Sequence, residues 1–444
     1  MNFDSLHLQS RLQELESIAG PPERYVVAFS GGMDSSVLLH AMTGIAEARG
    51  LPLLAAHVDH GLHEDSARWD SFCRGAAEAV GVEYVSHRVK LDRQAGSGPE
   101  ASARDARYAW LGGQLRHGDW LLSAHHENDQ AETLLLNLLR GSGVTGLAGM
   151  GAVRRFSNGY LVRPLLGVPG AALRAYADQH QLRWIDDPSN EDTNLDRNFL
   201  RLEILPRLAT RWPAVAARMR RSADLAAEAS ELLLELADHD LDGTFTEGRL
   251  DIHSLAGLSG PRLRNALRRA VMRCGLPPVP ASRLYQVEHE LIPARDDAQP
   301  RVSWPGGEMR RFRDYLYILP SSILASPARG GHLLPGGSLD LGPGNGRLVF
   351  EHCDSGGIAE SAAVAGIEVR YRQGGESIRL PNHAKHRKLK KLLQEEGIVP
   401  WMRDRMPLLY AGERLVAVAD LWIDADFHTG RGYAPRWIDH PALY

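Results

Sequence analysis

Cysteine is scarce in this chain. Cys73, Cys274 and Cys353 are the only three among 444 residues. Their odd number, wide spacing and lack of any C-x-x-C pair argue against a disulfide framework, a zinc ribbon or an iron–sulfur centre. A reducing cytoplasm suits such a chain best. Long apolar runs are also missing, and no stretch is sufficient to span a bilayer. Leu8, Leu12 and Leu15 recur at helical spacing between Glu and Gln, which is unlike a signal peptide. Charge of one sign is lacking too: the formal net charge is −4, so any contact with nucleic acid must come from local basic patches. There is no internal repeat. What remains is a globular composition, 43% hydrophobic and 24% charged, on a chain too long for one core, which predicts two to four domains.

The segment Tyr25–His40, YVVAFSGGMDSSVLLH, carries the strongest signal. It reads as a buried strand, a tight turn and an apolar helix. Gly31 and Gly32 let the backbone turn sharply and bring N–H groups close to a ligand. Ser35, Ser36 and the first helical turn face the same point, with the positive end of the helix dipole behind them, as a phosphate nest requires. Asp34 suits that nest if Mg²⁺ lies between carboxylate and phosphate. No Gly-Lys-Ser/Thr follows the four-residue gap of a Walker A loop, so that motif is excluded. An ordinary strand–turn–helix corner would account for the glycines but not for the order Ser30-Gly31-Gly32-Met33-Asp34-Ser35. The loop resembles the SGGxDS element of the N-type ATP pyrophosphatases, the PP-loop enzymes, which split ATP into AMP and pyrophosphate.

From Tyr25 to about Asp186 strands and helices alternate, which predicts an α/β domain with a parallel sheet. Strands are expected at Tyr25–Phe29, Leu53–Val58, Tyr84–Val89, Trp120–Ala124 and Tyr160–Arg163, and helices at Ser35–Arg49, Glu64–Val80, Ser102–Leu115 and Glu127–Leu139. Ser30, His57, Val89 and His125 lie at or just past strand ends, where ligands sit in such sheets. Further helices are expected at Ala214–Asp240, Pro261–Cys274 and Ala281–Leu291. In the second of these, Leu263, Leu267 and Val271 form an apolar stripe. Its arginines read as a solvated face or, less readily, as a nucleic-acid contact. Arg301–Leu319 suggests a β-meander turning at Pro305-Gly306-Gly307. Pro320–Gly346 holds eleven Pro and Gly in twenty-seven residues and reads as a linker. The expected division is 1–213 (catalytic), 214–319 (mainly helical), 320–365 (linker region) and 366–444 (a small α+β domain).

Five further motifs bear chemistry. His57-Val58-Asp59-His60-Gly61-Leu62-His63 invites a metal reading, but alternate strand residues point to opposite faces, so its groups need not converge. A loop beside the nucleotide, its backbone open to adenine, fits better. Arg104 and Arg107 share a helix face and can either clamp phosphate or lie in solvent. In AHHENDQAET, His125, Asp129 and Glu132 share a face, as do Asn128 and Glu132, on helical turns that can look into the cleft. Carboxylates there could hold Mg²⁺ or an incoming amine. Helix capping would explain Asn128 or Asp129 but not Glu132. Arg197 and Arg201 follow the acidic turn Asp186-Asp187-Pro188-Ser189-Asn190 at i, i+4. Near the C-terminus, Lys385, Arg387, Lys388, Lys390 and Lys391 put five basic residues in seven, a patch suited to an RNA backbone.

Together, residues 20–210 resemble one family closely: tRNA(Ile)-lysidine synthetase. The match rests on the PP-loop, HVDHGL, the Ala103-Arg104-x-x-Arg107-Tyr108 element and AHHxNDQxET. Arg140-Gly141-Ser142-Gly143, Arg163-Pro164-Leu165-Leu166 and DPSN…RN complete it. Arg372–Val418, with KKLLQEEGIVPWMRDRMPLLY, resembles that family's terminal domain. The resemblance implies an adenine nucleotide α-hydrolase-like fold, ATP and Mg²⁺ as cofactors, and L-lysine and a tRNA(Ile) with a CAU anticodon as substrates. No membrane and no obligate protein partner are implied. It further implies that Ser30, Gly31, Gly32, Met33, Ser35, Ser36 and His57 bind ATP, that Asp34 and Asp129 bind Mg²⁺, and that Glu132 with Asn128 receives lysine. Arg107 and Arg201 would steady phosphate or the adenylate, and Arg197, Arg201 and the lysine-rich patch would contact tRNA. A tRNA thiolase is disfavoured by the missing cysteine pair. A non-catalytic tRNA-binding protein with a decayed nucleotide fold would not need Asp34 or Glu132.

Overall fold

The computed structural model describes residues 3–59, 66–89, 99–246, 248–295, 298–321, 329–354, 356–364, 366–381 and 383–441. His60, Gly61, Leu62 and His63 of the second motif lie outside these. The chain divides into two compact units, Met1–Leu232 and Leu233–Tyr444.

In the first unit the elements run α1 (Ser5–Ala19), β1 (Tyr25–Ala28), α2 (Met33–Arg49), β2 (Leu53–Asp59), α3 (Ser66–Ala79), β3 (Glu83–Arg88), α4 (Pro99–Gly113), β4 (Trp120–Leu122), α5 (Glu127–Leu139), α6 (Val144–Leu147), β5 (Val153–Phe156), β6 (Gly159–Val162) and α7 (Gly170–Gln179). The strands form one sheet in the order β3-β2-β1-β4-β6-β5. All neighbours are parallel except the β5–β6 pair. The chain builds outward from β1 through β2 to β3, then returns to β1's other side with β4. That reversal opens a crevice at the carboxyl ends of β1 and β4, where the PP-loop and His125 lie.

Period-two alternation fills both faces of the sheet. Tyr25, Val27, Trp120 and Leu122 pack with α1, α2, α3 and α7, while Val26, Leu121, Leu161 and Leu54 pack with Leu111 and Leu115 of α4. Burying such a side chain contributes about 1.5–3 kcal/mol, so the central strands are held rigidly from both sides. Leu8, Leu12 and Leu15, four and three residues apart, are buried on one face of α1, which starts where Asp4 accepts the His7 N–H at 2.8 Å. The expected parallel-sheet domain is present. The antiparallel edge strand β5 was not anticipated.

The second unit holds more sheet than expected. Within 214–319, read as mainly helical, five antiparallel strands (Phe245–Thr246, Arg249–Asp251, Arg301–Trp304, Gly307–Phe312 and Tyr315–Pro320) form a sheet, which includes the anticipated meander. The helix Gly260–Arg273 buries Leu263, Leu267 and Val271 in the core of this part. Four of its five arginines are ion-paired. Arg269 and Arg273 bond Asp238 at 2.6 and 2.8 Å, Arg262 bonds Asp240 and Arg264 bonds Glu288.

Residues 320–365 correct the linker expectation. They supply the strands Gly331–Leu333, Ser338–Asp340, Arg347–Cys353 and Gly357–Ile358, each joined to a five-stranded sheet with later segments. Arg347–Cys353 pairs along its length with Gly432–Ile438. The glycines make turns, not slack: Gly336, Gly342 and Gly346 have φ of +73°, +91° and +71°. In the basic patch, Arg387–Lys388 forms a short strand and Leu389–Glu395 a helix whose leucines point inward. Lys385, Lys388, Lys390 and Lys391 are exposed, and Arg387 bonds Glu395 at 2.5 Å.

Candidate active site

The PP-loop is a tightly bonded corner. Gly31 has φ +82°, and its carbonyl accepts the Ile185 N–H at 2.9 Å. The Ser30 and Ser35 hydroxyls lie 3.0 Å apart, Ser35 donates to the Gly32 carbonyl at 3.0 Å, and the Gly32 N–H reaches Ser30 at 3.3 Å. These bonds hold the loop at the head of α2, where backbone N–H groups lack helical partners. A Cβ on Gly31 would stand 2.7 Å from Cys73 Sγ and 2.8 Å from Ile185 Cδ1. Gly31→Ala should therefore lower stability by about 1–3 kcal/mol through the positive φ alone, and raise the KM for ATP. A thermal melt and an ATP titration check this; wild-type values in both would mean that the corner tolerates a side chain.

Two atoms of this corner are buried with no hydrogen-bond partner among the described residues: Asp34 Oδ1 and Ser36 Oγ. A buried carboxylate oxygen without a protein donor has the chemistry of a cation ligand. Magnesium needs only one or two carboxylates when phosphates complete its shell, so Asp34 fits it. Asp34 Oδ2 faces His126 Nε2 at 3.6 Å.

Asp129 does not fit as a second metal ligand. Its Oδ2 accepts the His126 N–H at 2.9 Å, closing a capping box in which His126 Nδ1 accepts the Asn128 N–H at 3.2 Å. Its Oδ1 accepts from Arg197 at 2.8 Å and Arg201 at 3.3 Å. Burial alone would raise its pKa, but His126, His125 and Arg197 outweigh that and lower it, so it is held ionised. Glu132, fully buried, is more completely engaged. Oε2 accepts from Arg197 Nε at 2.7 Å and Arg201 Nη2 at 3.0 Å, and Oε1 from Arg201 Nε at 2.7 Å. Arg197 lies on α8 (Asp196–Phe199). Arg201 follows on the π-bulged turn Leu200–Ile204 that leads into α9 (Leu205–Arg211). The residues expected to face RNA thus clamp the residues expected to face metal and amine. The two carboxylates hold both guanidiniums at the edge of the cleft.

Other expectations separate in the same way. The Asn128 carboxamide, assigned to lysine, accepts the Gly170 N–H at 3.2 Å and ties α5 to the start of α7. The His57 ring is buried and donates from Nδ1 to the Phe29 carbonyl at 2.9 Å, so it is spent inside the fold. Gln130, also in the motif, is structural: it bonds the carbonyls of Ala148 and Met150 and the Met150 N–H. Arg107 stays available. It is half-buried, without a carboxylate partner among the described residues, and burial followed by the nearby Arg104 and Arg197 lowers its pKa. His125 donates to or accepts from Ser123 Oγ at 2.6 Å. Burial, reinforced by Arg163, Arg197 and Arg107 against the pull of Asp129, depresses its pKa and keeps the ring neutral.

Some residues of this centre were not singled out as site residues. Arg163, buried at the end of β6, donates to the Gly151 carbonyl at 2.6 Å. His126 carries the contact to Asp34. Burial opposes its charge, yet Asp34, Asp129 and Glu132 together raise its pKa. Their place at strand ends was the available signal.

With this geometry in place, similarity to known proteins becomes informative. The PP-loop domain family matches residues 5–208, the TilS substrate binding domain residues 250–317 and the TilS substrate C-terminal domain residues 367–437. The chain is 44% identical over 422 residues to the tRNA(Ile)-lysidine synthase of Alkalilimnicola ehrlichii, covering 94% of each protein. This chain belongs to the tRNA(Ile)-lysidine synthase family. The synthase of Xanthomonas campestris is 42% identical over 413 residues, 92% of each chain. That of Coxiella burnetii is 40% identical over 407 residues, 91% of this chain and 90% of its own. As a family member, the chain is an ATP-dependent tRNA-modifying ligase built on a PP-loop fold.

Proposed function

We propose that this protein joins L-lysine to C2 of the wobble cytidine in the CAU anticodon of tRNA(Ile), consuming ATP and releasing AMP and pyrophosphate. The product, lysidine, would change the codon read from AUG to AUA and the amino-acid identity from methionine to isoleucine. The observation that carries the reading is the juxtaposition of a PP-loop, an unpaired buried Asp34 and a carboxylate–guanidinium cluster in one crevice, in a chain whose relatives carry this enzyme's name.

In the first step the cytosine C2 oxygen attacks the α-phosphate of ATP, giving an adenylated base and pyrophosphate. The loop N–H groups of Gly31 to Ser35 bind the departing phosphates, and Arg107, Arg197 and Arg201 face the charge that develops at the α-phosphate. Magnesium held by Asp34 would supply further charge stabilisation as pyrophosphate leaves. In the second step the lysine ε-amine attacks C2 and expels AMP. The amine must lose a proton, and free lysine is largely protonated at neutral pH. A carboxylate of the Asp129–Glu132 pair accepts it only when the incoming ammonium takes over a contact now made by a guanidinium, so amine entry and arginine release are coupled.

Incubation with ATP, labelled lysine and a CAU-anticodon tRNA(Ile) transcript tests the proposal. Labelled nucleoside, with AMP and pyrophosphate formed in equal amounts, is the expected result; absence of ATP cleavage in the full mixture would overturn it.

A further inference from the structure

Ion pairing is the habit of arginine in this chain: Arg24, Arg197, Arg201, Arg220 and Arg269 all meet carboxylates. Four arginines that lie close together depart from it. Arg104 and Arg107 on α4, Arg154 on the edge strand β5 and Arg163 after β6 have no carboxylate partner among the described residues. They gather instead around one aromatic ring. The guanidinium carbons of Arg104, Arg107 and Arg154 stand 5.5, 5.5 and 5.8 Å from the centre of the Tyr108 ring, and Arg154 is 5.5 Å from that of Phe156. Tyr108 and Phe156 meet edge to face at 5.7 Å. Arg104 and Arg154 are exposed, whereas Arg107 is half-buried and Arg163 buried.

Like charges brought together without counter-charge repel one another, and each cation–π contact returns only about 0.5–1 kcal/mol at an exposed site. Such a cluster is best satisfied by an anion from outside. Its layout specifies the anion. The cations run from the sheet edge (Arg154, Arg104) through Tyr108 to Arg107 and Arg163. Both of these act electrostatically on His125, next to the clamped Asp129. A row of cations ending at a reaction centre matches a polyanion that enters lengthwise, not one compact phosphate. Partly exposed Tyr108 and Phe156 offer ring surface on which an unstacked base can rest.

We propose that this α4–β5 face is the track for the single-stranded RNA segment next to the modified base, with Arg104 and Arg154 each neutralising a backbone phosphate. The inference rests on the tRNA reading above and adds to it the surface that leads the loop into the cleft. Arg155 is an internal control. It neighbours Arg154 but lies over Tyr160, its partner across the strands, with its guanidinium carbon 5.0 Å from that ring, and so faces the other side of the sheet.

The test is binding of the tRNA(Ile) transcript as a function of salt, with thermal melts to confirm that each variant is folded. Losing two phosphate contacts should make the slope of log K against log[salt] shallower by about 1.4. R104Q/R154Q should do this and bind about tenfold more weakly at low salt; R104K/R154K should recover most of the slope, and R155Q should behave as wild type. A wild-type slope in folded R104Q/R154Q would overturn the track while leaving the enzyme assignment intact. Failure of the unaltered protein to bind its transcript would remove the tRNA reading itself, and the track with it.

Discussion

Asp34→Asn should reduce pyrophosphate release by about 10³-fold while transcript binding survives. The expectation follows from the one carboxylate oxygen of the PP-loop corner that is buried and unbonded. The Ser30 and Ser35 hydroxyls beside it are spent on holding the loop. An asparagine keeps the volume and one oxygen but removes the charge that would fix a divalent cation against the phosphates. A cation of that kind contributes several kcal/mol to charge stabilisation in the transition state. At 1.36 kcal/mol per tenfold, that is on the order of 10³ in rate. Pyrophosphate release under saturating ATP and transcript is the measurement, with magnesium varied to see whether excess ion restores the rate. Turnover near wild type would show that Asp34 holds no ion the reaction needs, and the metal assignment would then have no residue left, because Asp129 already bonds two arginines and a backbone N–H.

What could be read from the sequence was local. Helix α5 starts and stops where its motif and Gly141 predict, and Asp129 and Glu132 of its polar face are buried. Periodicity shows that two side chains share a face, but not what that face meets. Arg197 and Arg201, at i, i+4, form an evident pair, yet their partners lie more than sixty residues away, and only the fold brings them to Asp129 and Glu132. Asn128 misled for a related reason: its bond to Gly170 depends on α7 docking beside α5, which no local pattern specifies. Glycine content misled at 320–365, since the same residue serves a slack linker and a tight hairpin. The difference lies in whether the flanking segments find strands to pair with, as Arg347–Cys353 does with Gly432–Ile438.

The clamped Glu132 leads to the second large effect. Its side chain is fully buried and accepts three N–H bonds from two arginines. Removing one partner of a buried ion pair leaves uncompensated charge and costs about 3–5 kcal/mol. Glu132→Gln should therefore lower the melting temperature by about 10 °C. It should also release Arg197 and Arg201 from their fixed positions. A residue that only received the lysine amine would, when replaced, raise the KM for lysine and leave ATP cleavage untouched. A residue that positions the arginines would slow pyrophosphate release as well. The geometry favours the second result: both steps impaired in Glu132→Gln, with lysine KM and pyrophosphate release measured on the same preparation. Adding Arg201→Gln should relieve part of the lost stability, because the guanidinium stranded by the first change is then gone. If Glu132→Gln instead melts as wild type and cleaves ATP at the normal rate, the arginine clamp is not a working part of the site, and Glu132 returns to being a binding group for the amine alone.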